Sequence, residues 1–290
     1  MTPEGALDSL VTTDWLADNL GAHDLAVLDA SRHLPAAKRD PRAEYEAAHI
    51  PGALFLDLAT FTDPSSDTSS ALPSAAQVAA RIAELGLTPE TRIVIYDDSA
   101  VKTSARARFA LKRAGLANVA ILDGGLGKWR DEGRPLEAGA ANVEVAPVAA
   151  LAGGGGVASK ADMLANIGTP TRQVIDARGA SRVFGSGIDP VHGGQNGRIP
   201  GALNVPYDTL YEADGTLKSP ESLREAFEAA GVDLSRPVTT TCGSGVTACV
   251  LLFALERLGH GDGQLYDGSW QEWEADPATP KAQGPEASAA

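Results

Sequence analysis

Two cysteines, Cys242 and Cys249, carry the strongest nucleophilic chemistry that this 290-residue sequence offers. Cys242 follows the run PVTTT, which is typical of a buried strand, and stands just before Gly243 and Gly245. Those glycines allow a sharp turn in which several main-chain N–H groups face one point, and the start of the following helix adds positive potential. A sulfur at that point would be stabilised as a thiolate, so the stretch predicts a nucleophile.

Cys249 has a different predicted role, because it falls inside the apolar stretch VTACVLLFALERLG. A cysteine within such a helix is usually a small core residue. On a helix the two cysteines would lie nearly two turns apart, beyond disulfide reach, and their spacing does not match a Cys-x-x-Cys motif. We therefore expect two free thiols. The histidines also lack metal-ligand spacing; they stand at positions 23, 33, 49, 192 and 260.

The chain repeats itself at an offset of about 145 residues, which is the observation that decides its organisation. Four motifs return in the same order: VLDASR as VIDARG, HIPGALFL as RIPGALNV, FALKRAGL as FALERLGH, and LDGGLGKW as YDGSWQEW. The repeat predicts an N-terminal domain over 7–133 and a C-terminal domain over 159–275. A glycine-rich linker is expected over 134–158, and a flexible tail over 276–290.

Short apolar runs alternate with helical segments in each copy. Strands are predicted at AVLDA, RIVIYD, NVAILDG, QVIDA, PVTTTC and GQLYDG, and helices at 76–86 and 221–231, with Ser74 and Pro220 near the helix starts. Strands that alternate with helices imply an α/β fold in which each domain has a mainly parallel sheet flanked by helices. Sites in such sheets form at the carboxyl ends of strands, where Cys242 stands.

Asp97 occupies the position of Cys242 in the first copy, at the end of the strand run RIVIYD. The first domain thus keeps the fold signals and lacks the nucleophile. We expect the C-terminal domain to be catalytic and the N-terminal domain to support it.

Composition limits the partners. The chain has 24 basic and 38 acidic residues and a net charge of -14, which opposes binding to nucleic acid or to anionic membranes. No stretch approaches 18 consecutive apolar residues, and the N-terminus has no signal-peptide pattern. We expect a cytoplasmic protein that binds neither nucleic acid nor membranes.

The duplicated architecture, the glycine turn and the DGSW motif resemble the two-domain rhodanese-type sulfurtransferases over residues 7–275. Within that group, Cys-Gly-Ser-Gly-Val-Thr-Ala is similar to the loop of 3-mercaptopyruvate sulfurtransferases. The resemblance implies two tandem rhodanese-like domains and a sulfurtransferase that needs no cofactor. A small anionic donor would leave its sulfur on Cys242 as a persulfide, which passes to a thiol, to cyanide or to a thioredoxin-like reductant.

The resemblance also implies roles for residues around Cys242. Arg182 is the candidate for the carboxylate of a ketoacid donor, and Arg178 is expected to form a structural salt bridge with Asp176. Ser244 could donate to the substrate or be a turn residue bonded to its own backbone, and Thr247 could donate or cap the helix. The predicted substrate-binding loop comprises Gly243, Ser244, Gly245, Val246 and Thr247.

Two positions depart from the family pattern. Val191 stands where mercaptopyruvate enzymes usually carry a second arginine, so carboxylate recognition is weakened or the neighbouring His192 contributes. Ser70 stands where the family often has a histidine proposed to polarise the loop serine, and we assign no relay through it.

Three other functions compete with mercaptopyruvate sulfur transfer. Thiosulfate is the alternative donor, favoured by Val191. A non-catalytic persulfide carrier would also use Cys242 but would not turn over small donors. A cysteine phosphatase or arsenate reductase needs Cys-x5-Arg, and here the sixth residue after Cys242 is Ala248.

Overall fold

The computed structural model of the protein describes residues 7–68 and 70–284. The chain forms two compact units. The described part of unit 1 comprises residues 7–63, 72–155 and 212–217, and that of unit 2 comprises residues 64–68, 70–71, 156–211 and 218–284.

The described part of unit 1 contains one five-stranded sheet and five α-helices. Its strands are β1 (Leu10–Val11), β2 (Leu25–Asp29), β3 (Leu54–Phe55), β4 (Arg92–Tyr96) and β5 (Val119–Leu122). Its helices are α1 (Thr13–Asn19), α2 (Pro41–Ala47), α3 (Ala75–Glu84), α4 (Thr103–Arg113) and α5 (Gly125–Asp131), with a short 3-10 helix at Pro35–Ala37.

Unit 2 repeats this inventory. Its strands are β6 (Val157–Ala158), β7 (Gln173–Asp176), β8 (Leu203–Asn204), β9 (Val238–Thr241) and β10 (Gly263–Tyr266). Its helices are α6 (Lys160–Gly168), α7 (Ala180–Val183), α8 (Pro220–Ala229), α9 (Ala248–Arg257) and α10 (Ser269–Ala275), with a 3-10 helix at Tyr207–Leu210. Residues 157–158, which the sequence predicts as the end of the linker, form β6.

The two sheets have the same topology. The strand order is β1-β5-β4-β2-β3 in one and β6-β10-β9-β7-β8 in the other, and all pairings between these strands are parallel. The predicted α/β class is confirmed, and each sequence run expected to be a strand is one. The shared order brings the ends of β4 and β9 to equivalent central positions.

Local capping explains where two predicted helices begin and end. The Ser74 side chain accepts the Gln77 N–H, and the Gln77 side chain accepts the Ser74 N–H, which forms a capping box for α3. Pro220 is the first residue of α8. Gly86 and Gly231 follow these helices with positive φ, the left-handed conformation that suits a helix end.

Each unit closes its core on an equivalent tryptophan. Trp129 and Trp273 are fully buried, in clusters built from the strands and helices of their own unit. Their indole N–H groups donate to the carbonyl oxygens of Pro135 and Pro280, both at 2.8 Å. Core packing accounts for both residues.

The segment after α10 is part of unit 2 as far as Gly284. Ala282 forms an antiparallel bridge with Arg198, and Thr279 is buried. Residues 276–284 are therefore packed rather than a flexible tail, and 285–290 lie outside the described residues. The equivalent bridge in unit 1 joins His49 to Glu137, a residue expected in the linker. None of the helices in the described residues is long and apolar enough to cross a membrane.

Candidate active site

Cys242 stands between β9 and α9, at the carboxyl end of a central strand. Asp176 pairs in register with Thr241, and in unit 1 Asp29 pairs with Tyr96, so Cys242 and Asp97 follow equivalent residues. Both lie where the strand ends and the turn toward a helix begins. The equivalence of these two positions in the sequence repeat therefore agrees with the fold.

Residues at the start of α10 form hydrogen bonds with the main chain of the turn. The Cys242 N–H donates to Ser269 Oγ at 3.1 Å, and the Cys242 carbonyl accepts the Trp270 N–H at 3.0 Å. The Gly243 carbonyl accepts the Gln271 N–H at 3.0 Å. Ser269 adopts φ +52°, a conformation that disfavours side chains, and its hydroxyl also donates to the Tyr266 carbonyl. These contacts fix the main chain on which the sulfur is mounted.

The remaining amides of the turn are available to an anion. Among the residues that the structure describes, the N–H groups of Gly243, Ser244, Val246 and Thr247 donate to no protein acceptor. Gly245 has φ +77°, which permits the change of direction before the helix. The arrangement fits the predicted cradle for a negatively charged sulfur.

Two hydroxyls of the loop keep their hydrogen-bonding capacity. The Ser244 side chain is half-buried and, within the described chain, bonds to no other residue, so the alternative of a turn serine bonded to its own backbone is not observed. Thr247 stands at the N-cap of α9 without a side-chain cap bond. Both hydroxyls can therefore serve a ligand.

Unit 1 shows how the equivalent turn holds a fixed negative group. The buried Asp97 carboxylate accepts the Ser99 N–H at 2.9 Å and the Ser104 N–H at 2.8 Å. Burial raises the pKa of Asp97, while these bonds act in the opposite direction. Main-chain amides of this turn thus converge on an acceptor at the position that Cys242 occupies in unit 2.

Arg182 reaches the loop from α7, held by a carboxylate. Its Nε and Nη2 bind Asp189 at 2.8 to 3.1 Å, which leaves Nη1 as the nitrogen without a partner in the described residues. A Cβ on Gly243 would lie 3.1 Å from Arg182 Nη2. Burial acts to raise the pKa of Asp189, but the bonds from Arg182 and the Val191 amide outweigh it and lower the pKa. The structure therefore places a positioned guanidinium beside the loop.

His192 covers Gly243. A Cβ at Gly243 would overlap the His192 Nε2 atom, so a larger residue there would require the imidazole to move. Burial lowers the pKa of His192, and the neighbouring Arg182 guanidinium lowers it further. Val191 is 37% exposed, with its N–H bonded to Asp189. The imidazole, and not the valine, thus approaches the loop.

Arg178 has the structural role that the sequence predicts. Its side chain is buried and binds the Asp176 carboxylate through Nε and Nη2, with Nη2 at 2.7 Å from Asp176 Oδ2. The same Nη2 donates to the Gly197 carbonyl, and the guanidinium lies 4.8 Å from the centre of the Trp270 ring. Arg178 is therefore enclosed within unit 2 and cannot bind a substrate.

Three residues of this site are not predicted from the sequence. Asp189 positions Arg182, and Ser269 holds the Cys242 amide. Tyr207 is half-buried, and its pKa is raised by burial and by Asp208, with Arg182 and Cys242 close enough to affect it. The sequence does single out Ser269 in one respect: the equivalent residue of the first copy is Gly125, so the hydroxyl is present in the second copy alone.

The sulfur of Cys242 lies below a partly open surface. The Cys242 side chain is buried at 2% exposure, whereas Ser244, Val246, Arg182 and His192 around it are partly exposed.

The other residues singled out in the sequence lie in the core or carry no metal chemistry. Cys249 is buried in α9, its Sγ 3.3 Å from the Gly245 carbonyl, and neither cysteine forms a disulfide. Ser70 is buried within the segment 64–71 of unit 2. The described residues contain no group of side chains that could hold a metal ion.

A family model decides the classification. The model for the rhodanese-like domain matches the chain twice, over residues 12–132 and 159–276. The chain belongs to the rhodanese-like family. The first match covers strands β2 to β5 and the second covers strands β7 to β10 and Cys242.

Named relatives of this rhodanese-like chain extend over nearly its whole length. The 3-mercaptopyruvate sulfurtransferase of Mus musculus is 37% identical over 91% of this chain and 91% of its own length. The thiosulfate sulfurtransferase of Gallus gallus is 36% identical over 91% of this chain and 93% of its own. A crystal structure of the 3-mercaptopyruvate sulfotransferase of Escherichia coli superposes with a TM-score of 0.82, at 35% identity, over 90% and 98% of the two chains.

Proposed function

We propose that this protein is a sulfurtransferase that takes sulfur from 3-mercaptopyruvate onto Cys242 and passes it to a thiol or to cyanide. The observation that carries the proposal is the turn at Cys242, where free main-chain amides, the Arg182 guanidinium and the His192 imidazole surround one cysteine at a strand end. The relatives that match almost the whole chain are sulfurtransferases.

The first half-reaction forms the persulfide. The Cys242 thiolate attacks the thiol sulfur of the donor, and the bond from that sulfur to the donor's methylene carbon breaks. The electron pair leaves with the carbon as the pyruvate enolate, which takes up the proton that the donor thiol gives up. The products are pyruvate and a Cys242 persulfide, whose terminal sulfur is anionic.

The second half-reaction restores the enzyme. An acceptor thiolate or cyanide attacks the outer sulfur, the sulfur–sulfur bond breaks, and the Cys242 thiolate leaves. The acceptor departs as a persulfide or as thiocyanate. Sulfur passes between nucleophiles without net oxidation, so the chemistry calls for no cofactor.

The surrounding residues have distinct proposed tasks. The amides of Gly243, Ser244, Val246 and Thr247 stabilise the anionic sulfur before and after transfer. Arg182 binds the donor carboxylate through its unpaired Nη1 edge, because Asp189 holds the other edge. The Ser244 hydroxyl donates to the donor carbonyl as negative charge develops on it.

Thiosulfate is the second candidate donor, and Val191 favours it. The side chain at this position cannot add a second positive charge for a carboxylate, and the Gallus gallus relative acts on thiosulfate by name. With thiosulfate the sulfane sulfur would move to Cys242 and sulfite would leave. A thioredoxin-like acceptor and a cytoplasmic location stay predictions.

The deciding experiment compares kcat/KM for 3-mercaptopyruvate and thiosulfate in wild type, Cys242→Ser and Arg182→Ala. We expect the ketoacid to be the better donor, with both activities lost in Cys242→Ser. A higher kcat/KM for thiosulfate would reverse the donor assignment. Persulfide formation without turnover of either donor would instead indicate a carrier protein, and hydrolysis of p-nitrophenyl phosphate would indicate a phosphatase.

A further inference from the structure

Unit 1 contains a cavity of about 280 Å³ that the sulfur-transfer chemistry does not use. The residues that line it include Asp29, Ser31, Ala48 and Leu126. Asp29 is the last residue of strand β2, which lies next to the central strand β4, so the cavity lies at the carboxyl end of the unit 1 sheet. Ligand sites of α/β folds form at this edge.

The repeat provides a direct comparison for this cavity. Asp29 and Asp176 end equivalent strands, and the second residue after each donates its N–H to the carboxylate. The distances are 2.8 Å from Ser31 and 2.9 Å from Arg178. Ser31 and Arg178 therefore occupy equivalent backbone positions, but their side chains differ greatly in length.

In unit 2 the Arg178 guanidinium lies beside the equivalent aspartate, Asp176. The Arg178 side chain binds Asp176, donates to the Gly197 carbonyl and packs over the Trp270 ring. Two of these neighbours have unit 1 counterparts in the repeat. Gly197 precedes Arg-Ile-Pro-Gly as Ala48 precedes His-Ile-Pro-Gly. The Trp270 N–H donates to the Cys242 carbonyl as the Leu126 N–H donates to the Asp97 carbonyl.

The charges around the cavity favour a cation. Asp29 is 2% exposed, and no basic side chain of the described residues forms an ion pair with it. Burial accordingly raises the pKa of Asp29. At the wall, Arg39 pairs with Glu44 and Asp98, and Arg130 also pairs with Asp98. Glu44 also binds His33 at 2.9 Å, and neither Arg39 nor Arg130 pairs with Asp29.

We propose that this cavity binds the guanidinium group of a small molecule. The Asp29 carboxylate would accept a bidentate pair of N–H bonds, the Ala48 carbonyl would accept one more, and the Leu126 side chain would pack on the flat face. This arrangement repeats the one that Asp176, Gly197 and Trp270 form around Arg178. The proposal does not depend on the sulfur-transfer function.

The test titrates the full-length protein with n-propylguanidinium by isothermal calorimetry at constant ionic strength. n-Propylurea, which has nearly the same shape without the charge, and n-propylammonium, which lacks the planar fork, are the comparison probes. We expect saturable 1:1 binding of n-propylguanidinium, at least about tenfold tighter than either comparison probe.

Three variants test whether the ligand binds in this cavity. Asp29→Asn should weaken binding about tenfold or more, and Ser31→Arg should abolish it because its own guanidinium would occupy the cavity. Asp18→Asn, on the exposed surface of α1, is the matched control and should bind as wild type does. Because Asp29→Asn also perturbs a buried carboxylate, Ser31→Arg is the decisive variant, with a melting temperature at or above that of wild type.

Three results would overturn the proposal. The first is the absence of saturable n-propylguanidinium binding to wild type. The second is equally tight binding of n-propylurea, which would remove the role of the carboxylate. The third is equal binding by Ser31→Arg, which would place the ligand elsewhere on the molecule. Sulfur transfer by these variants is measured separately, and neither its loss nor its retention bears on guanidinium binding.

Discussion

Cys242 and Asp97 are held by the same main-chain contact in the two repeats. The carbonyl of Cys242 accepts the Trp270 N–H at 3.0 Å, and the carbonyl of Asp97 accepts the Leu126 N–H at 3.1 Å. This main-chain contact is therefore common to both turns, and the residue that follows the strand has a different side chain in each. A carboxylate in that position accepts hydrogen bonds from main-chain amides. A cysteine thiolate there can in addition act as a nucleophile and, later, as a leaving group.

The first prediction concerns the nucleophile. Cys242→Ser should reduce sulfur transfer by a factor on the order of 10³ or more, because a serine hydroxyl is a poor nucleophile for sulfur. The urea midpoint should stay near that of wild type, since the substitution is nearly isosteric. Cys249→Ser is the control for general loss of a thiol and should retain persulfide formation, measured by mass spectrometry. Transfer near the wild-type rate in Cys242→Ser would remove the assignment.

The second prediction concerns donor recognition. Arg182→Ala should raise KM for 3-mercaptopyruvate by about 10- to 100-fold, the cost of one charge-assisted pair, and should affect thiosulfate less. Steady-state kinetics with both donors measures the difference. Arg224→Ala on the exposed face of α8 is the matched control. An equal effect on the two donors would argue that Arg182 does not read the carboxylate.

The third prediction concerns space above the loop. Gly243→Ala should lower kcat/KM because the new methyl group overlaps the His192 ring. The double variant Gly243→Ala/His192→Ala should recover part of that loss, since the ring is no longer in the way. Additive losses in this double-mutant cycle would show that the glycine is needed for a reason other than His192.

The fourth prediction concerns pH. The pKa of His192 lies below 6.5, lowered by burial and by Arg182 and Arg178 against the opposing effect of Asp189. The ring therefore gains its positive charge at a lower pH than an ordinary histidine does, so KM for an anionic donor should decrease on acidification. In His192→Gln the dependence of KM should be flatter between about pH 5 and pH 7. Parallel KM profiles for the two proteins would rule out a contribution from His192.

The fifth prediction concerns the anchor of the turn. Ser269→Ala should lower the free energy of unfolding by about 1–3 kcal/mol, because the buried Cys242 N–H loses its acceptor while the positive φ is unchanged. Urea denaturation measures the change. Ser186→Ala, at an exposed position of unit 2, provides the control and should leave stability unchanged. A wild-type unfolding curve for Ser269→Ala would show that the bond does not stabilise the turn.

Much of the fold could be predicted because the central strands are continuous apolar runs and the sequence repeats. Strands β2, β4, β5, β7, β9 and β10 follow that pattern, whereas β1, β3, β6 and β8 have only two residues each and carry no periodicity. Small residues and prolines after Trp273 favour a flexible tail, yet main-chain pairing with Arg198 holds Ala282. Composition does not record such pairing.

The site was predictable where a motif is local. The glycine turn and Arg182 stand out in the sequence, but the bond between Arg182 and Asp189 depends on how residues 184–188 loop back. The contact between His192 and Gly243 joins distant segments of the chain, which spacing alone cannot reveal. The difference between Gly125 and Ser269 can be seen in the sequence. Its role follows only from the structure, in which Ser269 accepts the hydrogen bond from the Cys242 N–H.

In each repeat, the segment that follows the last helix pairs with the body of the same unit. Glu137 and Ala282 pair with His49 and Arg198, the residues directly before the two Ile-Pro-Gly turns. Glu137 and Ala282 lie beyond the last helix of their units, outside the 12–132 and 159–276 matches of the family model. A protein truncated after residue 276 would therefore lose the pairing between Ala282 and Arg198. A recombinant protein that retains this pairing has to extend to Gly284.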